Sequence, residues 1–301
     1  MLIQWFPGHM HKAGKEIKAI LPEIDLIIEI LDARIPFSSQ NPMFVPLRGD
    51  IPCIKVLNKS DLADAEMTQQ WQTYLEQDQG IKTLSLMSSK PEKIRLLTSM
   101  CHKLVPVKEG RLLHTLIMGI PNVGKSTIIN ILAGRIIAKT GNEPAITKFL
   151  QRINIGDNVI LTDSPGMLWP NLDNKNTGYR LAITGAIKDT AIHHGDIATF
   201  LAEFLLNHYP NYLKSRFHLK ELPEKENELL ELIGKQRGCL RSGGQVNNDK
   251  VAKILLSEFR TGALGGITLE TPAMMEQELA ELLIIRQEKE AKKLLKKQKH
   301  K

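Results

Sequence analysis

Residues 119–126 have the types and spacing needed to bind phosphate. They read Gly-Ile-Pro-Asn-Val-Gly-Lys-Ser, with two glycines, a lysine and a serine at fixed separations. The glycines allow backbone N–H groups to turn toward phosphate oxygens, and the helix expected to follow adds the positive end of its dipole. In this pattern Lys125 reaches the β- and γ-phosphates, and the Ser126 hydroxyl ligates Mg²⁺. The segment therefore predicts a site for a nucleoside triphosphate with magnesium.

The segment Asn58-Lys59-Ser60-Asp61 could select the base. It follows an apolar run at 53–57, and ligands of α/β proteins bind at the carboxyl ends of strands. The Asp61 carboxylate can accept both donors on the guanine edge, N1–H and the 2-amino group, and adenine has no such pair. Asn58 can bond the N7 and O6 side of guanine, while Lys59 can lie along the ring. The tetrapeptide alone could be a turn, but beside a phosphate loop it predicts guanine.

Three further segments complete the predicted site. Ser88-Ser89-Lys90 follows the next apolar run and resembles a box whose backbone meets guanine O6. Asp163 and Gly166 belong to an Asp-Ser-Pro-Gly segment that follows the run at 158–162. There the carboxylate would reach Mg²⁺ through water, and the Gly166 N–H would meet the γ-phosphate. Thr147 stands between the phosphate loop and Asp163, where the threonine of a first switch is expected to contact Mg²⁺.

Alternating strand and helix patterns must position these segments. Apolar runs of strand length lie at 26–32, 53–57, 82–86 and 114–118. Helix patterns lie between or after them at 65–78, 91–104 and 126–134. The runs 151–155 and 159–162 flank a Gly-Asp pair and predict a hairpin. Strands that are apolar on both faces indicate a covered, mostly parallel sheet, so we expect an α/β fold.

From about residue 177 the strand patterns stop. Helix patterns lie at 179–193, 196–209, 224–236 and 248–261. We therefore divide the chain into an α/β nucleotide-binding domain at 1–176, an all-helical domain at 177–285 and a basic tail at 286–301. The tail holds eight Lys and Arg against two Glu, so most of the formal net charge of +7 lies there. Such a run is either a solvated tail or a site for a polyanion such as RNA.

Composition excludes several other classes of protein. The 301 residues are 42% hydrophobic and 24% charged, as in ordinary globular proteins. No apolar run reaches the length of about 18 residues that spans a bilayer. The three cysteines, at 53, 101 and 239, match no metal site and predict reduced thiols. No basic segment followed by an apolar stretch opens the chain, so we expect no signal peptide and no membrane partner.

The order of the motifs is reversed relative to Ras-like GTPases, in which the phosphate loop comes first and the guanine box comes late. Here the guanine box at 58–61 precedes the phosphate loop at 119–126, which predicts a circularly permuted Ras-like P-loop GTPase domain. Three further segments extend the likeness: Gln-Trp-Phe-Pro-Gly-His-Met at 4–10, Leu-Asp-Ala-Arg-Ile-Pro at 31–36 and Arg-Gly-Cys-Leu at 237–240. With them, residues 3–272 resemble the bacterial ribosome biogenesis GTPase A family and its relative, mitochondrial ribosome-associated GTPase 1.

The resemblance implies hydrolysis of GTP to GDP and phosphate, slow unless ribosomal particles stimulate it, during late assembly of the large ribosomal subunit. It also implies a helical domain that contacts ribosomal RNA, and we expect a monomer. The family motif begins at residue 4, so we expect a bacterial cytoplasmic protein rather than one with a transit peptide. The chain departs from the family at Ala145, where glycine is usual. Two alternatives stay open: a GTP-dependent binding protein with incidental turnover, and a GTPase acting on another RNA or on membranes.

The resemblance also suggests residues for the hydrolytic step. Met167 stands where Ras-like enzymes carry a glutamine that positions water, and methionine cannot do so. In the family His9 is the suspected replacement; from the residues alone, it could equally be structural or face RNA. Asn122 resembles an asparagine that ligates K⁺ in potassium-activated GTPases, where the ion supplies positive charge to the transition state. It could equally stabilise its own loop.

Together these motifs define a candidate site for GTP, Mg²⁺ and K⁺. The predicted nucleotide-binding residues are Asn58, Lys59, Asp61, Ser88, Ser89, Lys90, Gly119, Asn122, Val123, Gly124, Lys125, Ser126, Thr127, Thr147, Asp163 and Gly166. The predicted catalytic residues are His9, Lys125, Thr147 and Gly166. The predicted metal ligands are Ser126, Thr147 and Asp163 for Mg²⁺, and Asn122 for K⁺.

Overall fold

A single sheet brings the predicted motifs together. The computed structural model describes residues 3, 5–108, 110–138, 149–170, 172 and 174–299. The strands in these residues are β1 (Leu26–Asp32), β2 (Cys53–Asn58), β3 (Ile81–Ser85), β4 (Leu113–Gly119), β5 (Gln151–Asn154) and β6 (Val159–Asp163). They form a sheet in the order β3-β2-β1-β4-β6-β5, in which β5 is antiparallel to β6 and the other neighbouring strands are parallel.

The central strands β1 and β2 are buried at every position, as expected where both faces of a parallel sheet are covered. The register places Asp32, at the end of β1, beside Asn58, at the end of β2. It also places Asp163, at the end of β6, beside Ile117 near the end of β4. Polar residues from several strands therefore meet at one edge of the sheet, which is the edge where such sheets bind ligands.

The helices around the sheet are partly those that the sequence predicts. They are α1 (Gly8–Ile20), α2 (Phe44–Arg48), α3 (Ala65–Leu75), α4 (Pro91–Leu104) and α5 (Lys125–Ala133). The predictions of α3, α4, α5 and the six strands are confirmed, with ends that shift by up to three residues. The sequence patterns did not predict α1 or α2. In α1 only Met10, Ala13 and Ile17 are buried, which is too sparse an apolar pattern to stand out.

Residues after 174 fold into helices. These are α6 (Lys175–Ile183), α7 (His194–His208), α8 (Pro210–Phe217), α9 (Glu226–Gln236), α10 (Asn248–Thr261) and α11 (Pro272–Lys299). The prediction of one helix over 179–193 is wrong, because α6 ends at Ile183. Gly185 follows with φ at +80°, a left-handed conformation that favours glycine and closes a helix, and its N–H donates to Ala182 O at 3.1 Å.

Helix α11 runs without a break through residue 286, where the predicted basic tail begins. It is fixed near its start, where Glu278 pairs with Arg180 of α6 at 2.7 Å. Among the helices that the structure describes, none has both the length and the apolar composition to cross a membrane.

The segment between α10 and α11 returns to the sheet. The N–H of Ile267 donates to Leu62 O at 3.0 Å, in the loop that follows β2. The N–H of Leu269 donates to Arg34 O at 2.8 Å, in the loop that follows β1. The segment between α10 and α11 therefore contacts two loops, those after β1 and β2. Both loops begin at the edge of the sheet where the motifs meet.

Candidate nucleotide-binding site

The loop between β4 and α5 carries the phosphate motif. Gly124 has φ at +91° and is the residue before α5, so the N-terminal turn of that helix faces the same place as the loop. A Cβ on Gly124 would lie 2.3 Å from Asn58 Nδ2. Both the backbone conformation and the close approach of Asn58 therefore require glycine here.

The segment Asn58–Asp61, predicted to select guanine and called the guanine segment below, contacts the phosphate loop directly. Asn58 Nδ2 donates to Val123 O at 2.7 Å, and Lys59 Nζ donates to Asn122 O at 2.6 Å. Asn58 is buried, and its Oδ1 has no hydrogen-bond partner among the described residues. Its Nδ2 also carries a second hydrogen. A buried amide with unused bonding capacity beside a phosphate loop fits the edge of a nucleotide base. Asp61 is exposed at the rim of the same loop.

The segment Ser88-Ser89-Lys90 lies next to the guanine segment. Ser60 donates to Leu86 O from its N–H and from its hydroxyl, at 3.0 Å in each case. Two residues further on, the backbone turns, and the N–H of Lys90 donates to Met87 O at 3.1 Å. The structure thus brings the two base segments together, as their order after β2 and β3 predicts.

Lys59 is held by a residue to which the sequence motifs assign no role. The Asp32 carboxylate accepts from Lys59 Nζ at 2.9 Å, and from Arg34 Nε at 2.8 Å and Nη2 at 2.7 Å. Burial raises the pKa of the Asp32 carboxyl, but the two cations outweigh burial and hold that pKa well below its usual range. The missed signal is positional: Asp32 ends β1 just as Asn58 ends β2.

Lys125 and Asp163, which are predicted to lie near Mg²⁺, form a buried ion pair. Burial raises the pKa of the Asp163 carboxyl, and the Lys125 ammonium opposes that rise. Ser126 is the next residue of α5, so its hydroxyl belongs to the same helix turn. A carboxylate and a hydroxyl are the hard oxygen ligands that Mg²⁺ takes, so the residues present fit the ion. Thr147, the third predicted ligand, lies outside the described residues.

Gly166 packs on the phosphate loop. A Cβ on Gly166 would lie 3.0 Å from Pro121 Cα, so a side chain would press on the loop backbone. The next residue, Met167, donates its N–H to Gly119 O at 3.1 Å. The Met167 side chain is buried in the core and cannot orient water.

His9 lies on the helix that packs against this segment. Met10, buried in α1, accepts the Leu168 N–H on its sulfur at 3.5 Å. His9 precedes Met10 and is exposed. The imidazole therefore sits at the surface, on the helix turn that touches the residues following Gly166.

The Asn122 side chain contacts the helical residues. Its Nδ2 donates to Gly185 O at 2.8 Å, in the turn that follows α6. Asn122 itself has φ at +58°, a conformation that asparagine tolerates better than most residues. This contact joins the phosphate loop to the turn after α6. The K⁺ role of Asn122 and the alternative that it stabilises its own loop both stay predictions.

The chain is similar in sequence to proteins of one kind. A family model described as a 50S ribosome-binding GTPase matches residues 114–234. The ribosome biogenesis GTPase A of Priestia megaterium is 44% identical over 289 residues, which are 93% of this chain and 100% of that protein. The mouse mitochondrial ribosome-associated GTPase 1 is 31% identical over 292 residues, which are 89% of this chain and 90% of that protein.

The chain is also similar to solved structures of YlqF from Thermotoga maritima. The GNP-bound crystal structure has a TM-score of 0.60 at 25% identity and covers 87% of this chain and 98% of its own. The GDP-bound structure has a TM-score of 0.61 at 24% identity and covers 86% of this chain and 99% of its own. Between 86% and 87% of this chain therefore shares the fold of those structures.

Proposed function

This chain belongs to the ribosome biogenesis GTPase A family, and we propose from that premise that it hydrolyses GTP while bound to the maturing large ribosomal subunit. The fold is a circularly permuted Ras-like GTPase domain followed by helices. The observation that carries the proposal is the contact between Lys59 Nζ and Asn122 O, at 2.6 Å. It joins the guanine segment to the phosphate loop in one pocket, although the two are reversed along the chain.

In the proposed site each segment has one task. The Asp61 carboxylate selects guanine by accepting from the N1–H and 2-amino groups of the base. Asn58 and Lys59 hold the other side of the base. The phosphate loop surrounds the phosphates with its backbone N–H groups. Lys125 would turn from the Asp163 carboxylate to the β- and γ-phosphates.

The residues that would hold Mg²⁺ are Ser126 and Asp163, with Thr147 from the first switch. When bound, the ion neutralises charge that develops on the β- and γ-phosphate oxygens. Ser126 lies at the start of α5 and Asp163 at the end of β6, so these side chains would hold the ion from two neighbouring elements. The Gly166 N–H would meet the γ-phosphate from the same side.

We assign the positioning of the attacking water to His9. Its support is the burial of Met167 together with the place of His9 on α1, one residue from the contact between Met10 and Leu168. Unaided hydrolysis is then slow, because an exposed side chain must be ordered before it can act. A ribosomal particle that covers α1 would supply that order.

The division into a nucleotide-binding domain at 1–176, a helical RNA-binding domain at 177–285 and a basic tail at 286–301 remains part of the proposal. Only residues 167–174 separate Gly166 from α6. A movement at Gly166 that depends on the γ-phosphate would therefore reach the helical domain within a few residues. The output is timed binding to ribosomal RNA by a monomer in the bacterial cytoplasm.

The experiment is the rate of GTP hydrolysis with and without purified large subunits, in K⁺ and in Na⁺. We expect large subunits to accelerate hydrolysis. Binding that depends on GTP without acceleration would instead indicate a binding protein with incidental turnover. A rate that is higher in K⁺ than in Na⁺ would support the potassium role of Asn122, and equal rates would remove it.

A further inference from the structure

The loop that follows β1 contacts both the predicted switch and the helical residues. We call residues 33–41 the bridging loop. Its side chains Ser38, Ser39 and Asn41 are each 1% exposed, which is unusual for polar residues in a loop. Buried polar groups must be hydrogen-bonded, and their partners show what the loop holds together.

At one end, the bridging loop is bound by a buried carboxylate from the segment between α10 and α11. Glu270 accepts the N–H of Ser38 at 2.9 Å and the hydroxyl of Ser38 at 2.7 Å, and it also accepts the N–H of Phe37. Glu270 is itself fully buried, and its Oε2 lies 3.6 Å from Nη1 of Arg180 in α6. Arg180 also pairs with Glu278 of α11. The loop is therefore tied to α6 and α11 through the buried Glu270 and Arg180 and the partly buried Glu278.

At the other end, the bridging loop holds the residues that follow Gly166. Asn41 Nδ2 donates to Met167 O at 3.2 Å and to Leu168 O at 3.3 Å. Asn41 Oδ1 accepts the N–H of Met43 at 3.0 Å, which fixes the orientation of the amide. The donors of one side chain thus serve two consecutive carbonyls directly after the predicted switch.

Between these ends the loop is braced. The Ser39 hydroxyl donates to Ile35 O at 2.7 Å and accepts the N–H of Asp32 at 3.1 Å. The N–H of Ser39 donates to Ile35 O at 2.9 Å, and that of Gln40 donates to Phe37 O at 2.9 Å. The loop is thus closed by its own hydrogen bonds and packed in the interior, where dense packing transmits strain from one residue to the next.

We propose that the bridging loop couples the γ-phosphate switch to the helical domain, and that Asn41 is the positioning residue at the switch end. This rests on the proposed function, since it takes residues 163–166 to be that switch. Asn41 keeps Met167 and Leu168 in place, and so keeps Gly166 against Pro121, where its N–H is available to a γ-phosphate. GDP lacks that phosphate, so Asn41 contributes to the affinity for GTP and not to the affinity for GDP.

The first test is Asn41→Asp. This change keeps the acceptor for the N–H of Met43 and removes the donors to the carbonyls of Met167 and Leu168. We expect the affinity for a non-hydrolysable GTP analogue to fall about 3–10-fold, as for the loss of one or two hydrogen bonds, with the affinity for GDP unchanged. Asn247→Asp is the matched control, since the Asn247 side chain caps α10 and a carboxylate can keep that bond. Asn41→Ala gives the same comparison without added charge if Asn41→Asp does not fold.

The second test reads the coupling at the far end by amide hydrogen exchange over residues 267–278. In the parent protein we expect exchange there to differ between the GTP analogue and GDP. In Asn41→Asp, and in Glu270→Gln from the opposite end, we expect this difference to shrink while the nucleotide still protects the phosphate loop. A parent protein that does not bind guanine nucleotides would overturn the proposed function and the coupling with it. A parent that binds them, with unchanged affinity ratios and exchange differences in both variants, would overturn only the coupling.

Discussion

Lys59 Nζ lies 2.6 Å from the carbonyl oxygen of Asn122, across 63 residues of chain. The contact joins the segment predicted to select the base to the segment predicted to bind phosphate, although their order along the chain is reversed relative to Ras-like GTPases. Circular permutation preserves it because a binding pocket depends on which strand ends are neighbours in the sheet, not on where the chain is cut. The order β2-β1-β4 keeps those ends adjacent.

Guanine specificity should depend on Asp61. We expect Asp61→Asn to lose affinity for GTP and to gain affinity for xanthosine triphosphate, because the base edge of xanthine presents an acceptor to the new amide donor. The measurement is competition between GTP, ATP and xanthosine triphosphate for the same site. Asp78→Asn is the control, because Asp78 is exposed and precedes β3, away from the carboxyl ends of the strands where the site lies. It should bind as the parent does. An Asp61→Asn protein that prefers GTP over ATP as strongly as the parent would contradict the assignment.

Lys125 should be needed for the triphosphate. We expect Lys125→Ala to weaken GTP binding roughly 10–150-fold, since hydrogen bonds to charged groups contribute about 1.5–3 kcal/mol each. The same change leaves the buried Asp163 carboxylate without its partner, so the free energy of unfolding should also fall. Equilibrium binding measured together with thermal unfolding separates the two effects. Unchanged affinity in a folded variant would remove the phosphate-loop assignment.

His9 should act on hydrolysis alone. We expect His9→Ala to slow single-turnover hydrolysis in the presence of large subunits by roughly 10²–10⁴, with GTP affinity near that of the parent. His11→Ala is the matched control, because His11 is also exposed on α1 but two residues further along the helix. Equal rates for parent and His9→Ala would eliminate His9 as the residue that positions water.

Asp32 should stabilise the fold at neutral pH. Arg34 and Lys59 hold the pKa of Asp32 below its unfolded value of about 3.9, so its contribution is present above that pH and is lost as pH falls further. We expect Asp32→Asn to lower the free energy of unfolding at pH 7 by about 3–5 kcal/mol, because the buried Arg34 and the partly buried Lys59 lose their anionic partner. The difference from the parent should shrink below about pH 4.

Denaturant unfolding of Asp32→Asn over a pH series checks this, with the exposed Asp50→Asn as the control. A difference from the parent that stays constant from pH 7 to about pH 2 would show that the Asp32 carboxylate is not the source of the stability.

The basic tail should add affinity for RNA without sequence choice. Deleting residues 286–301 should weaken binding to ribosomal and unrelated RNA alike. The slope of log affinity against log salt should fall by about 0.7–0.9 for each RNA phosphate that the tail no longer neutralises. Replacing its eight Lys and Arg by Gln is the control for length. An unchanged salt slope would show a solvated tail, and weaker binding to ribosomal RNA alone would show specific recognition.

Sequence patterns predicted the sheet well because its strands are short apolar runs that end in polar residues. They failed where one residue decides a local structure against the surrounding pattern. Residues 179–193 look like a single amphipathic helix, but Gly185 closes α6 and turns the chain back. The break also supplies the carbonyl that accepts from Asn122, so the missed feature is one that contacts the site.

Fixed motif spacing is what allowed the sequence to nominate Lys125 and Asp61 for the candidate site. Asp32 and Asn41 could not be assigned in this way, because each acts on a segment more than 25 residues away. Only the register of the sheet shows that Asp32 lies beside Asn58. Likewise, only the folded loop shows that Asn41 faces the carbonyls of Met167 and Leu168.

Because α11 is one unbroken helix, a small tilt near its start would move its C-terminal end by a larger distance. The helix is anchored at Glu278 and continues to Lys299, so its last residue lies about 30 Å from the anchor at a rise of about 1.5 Å per residue. A tilt of about 10° at the anchor would then carry the tip sideways by about 5 Å, close to one helical turn. A small displacement near Glu270 would thus become a larger displacement of the basic residues at the C-terminal end of α11.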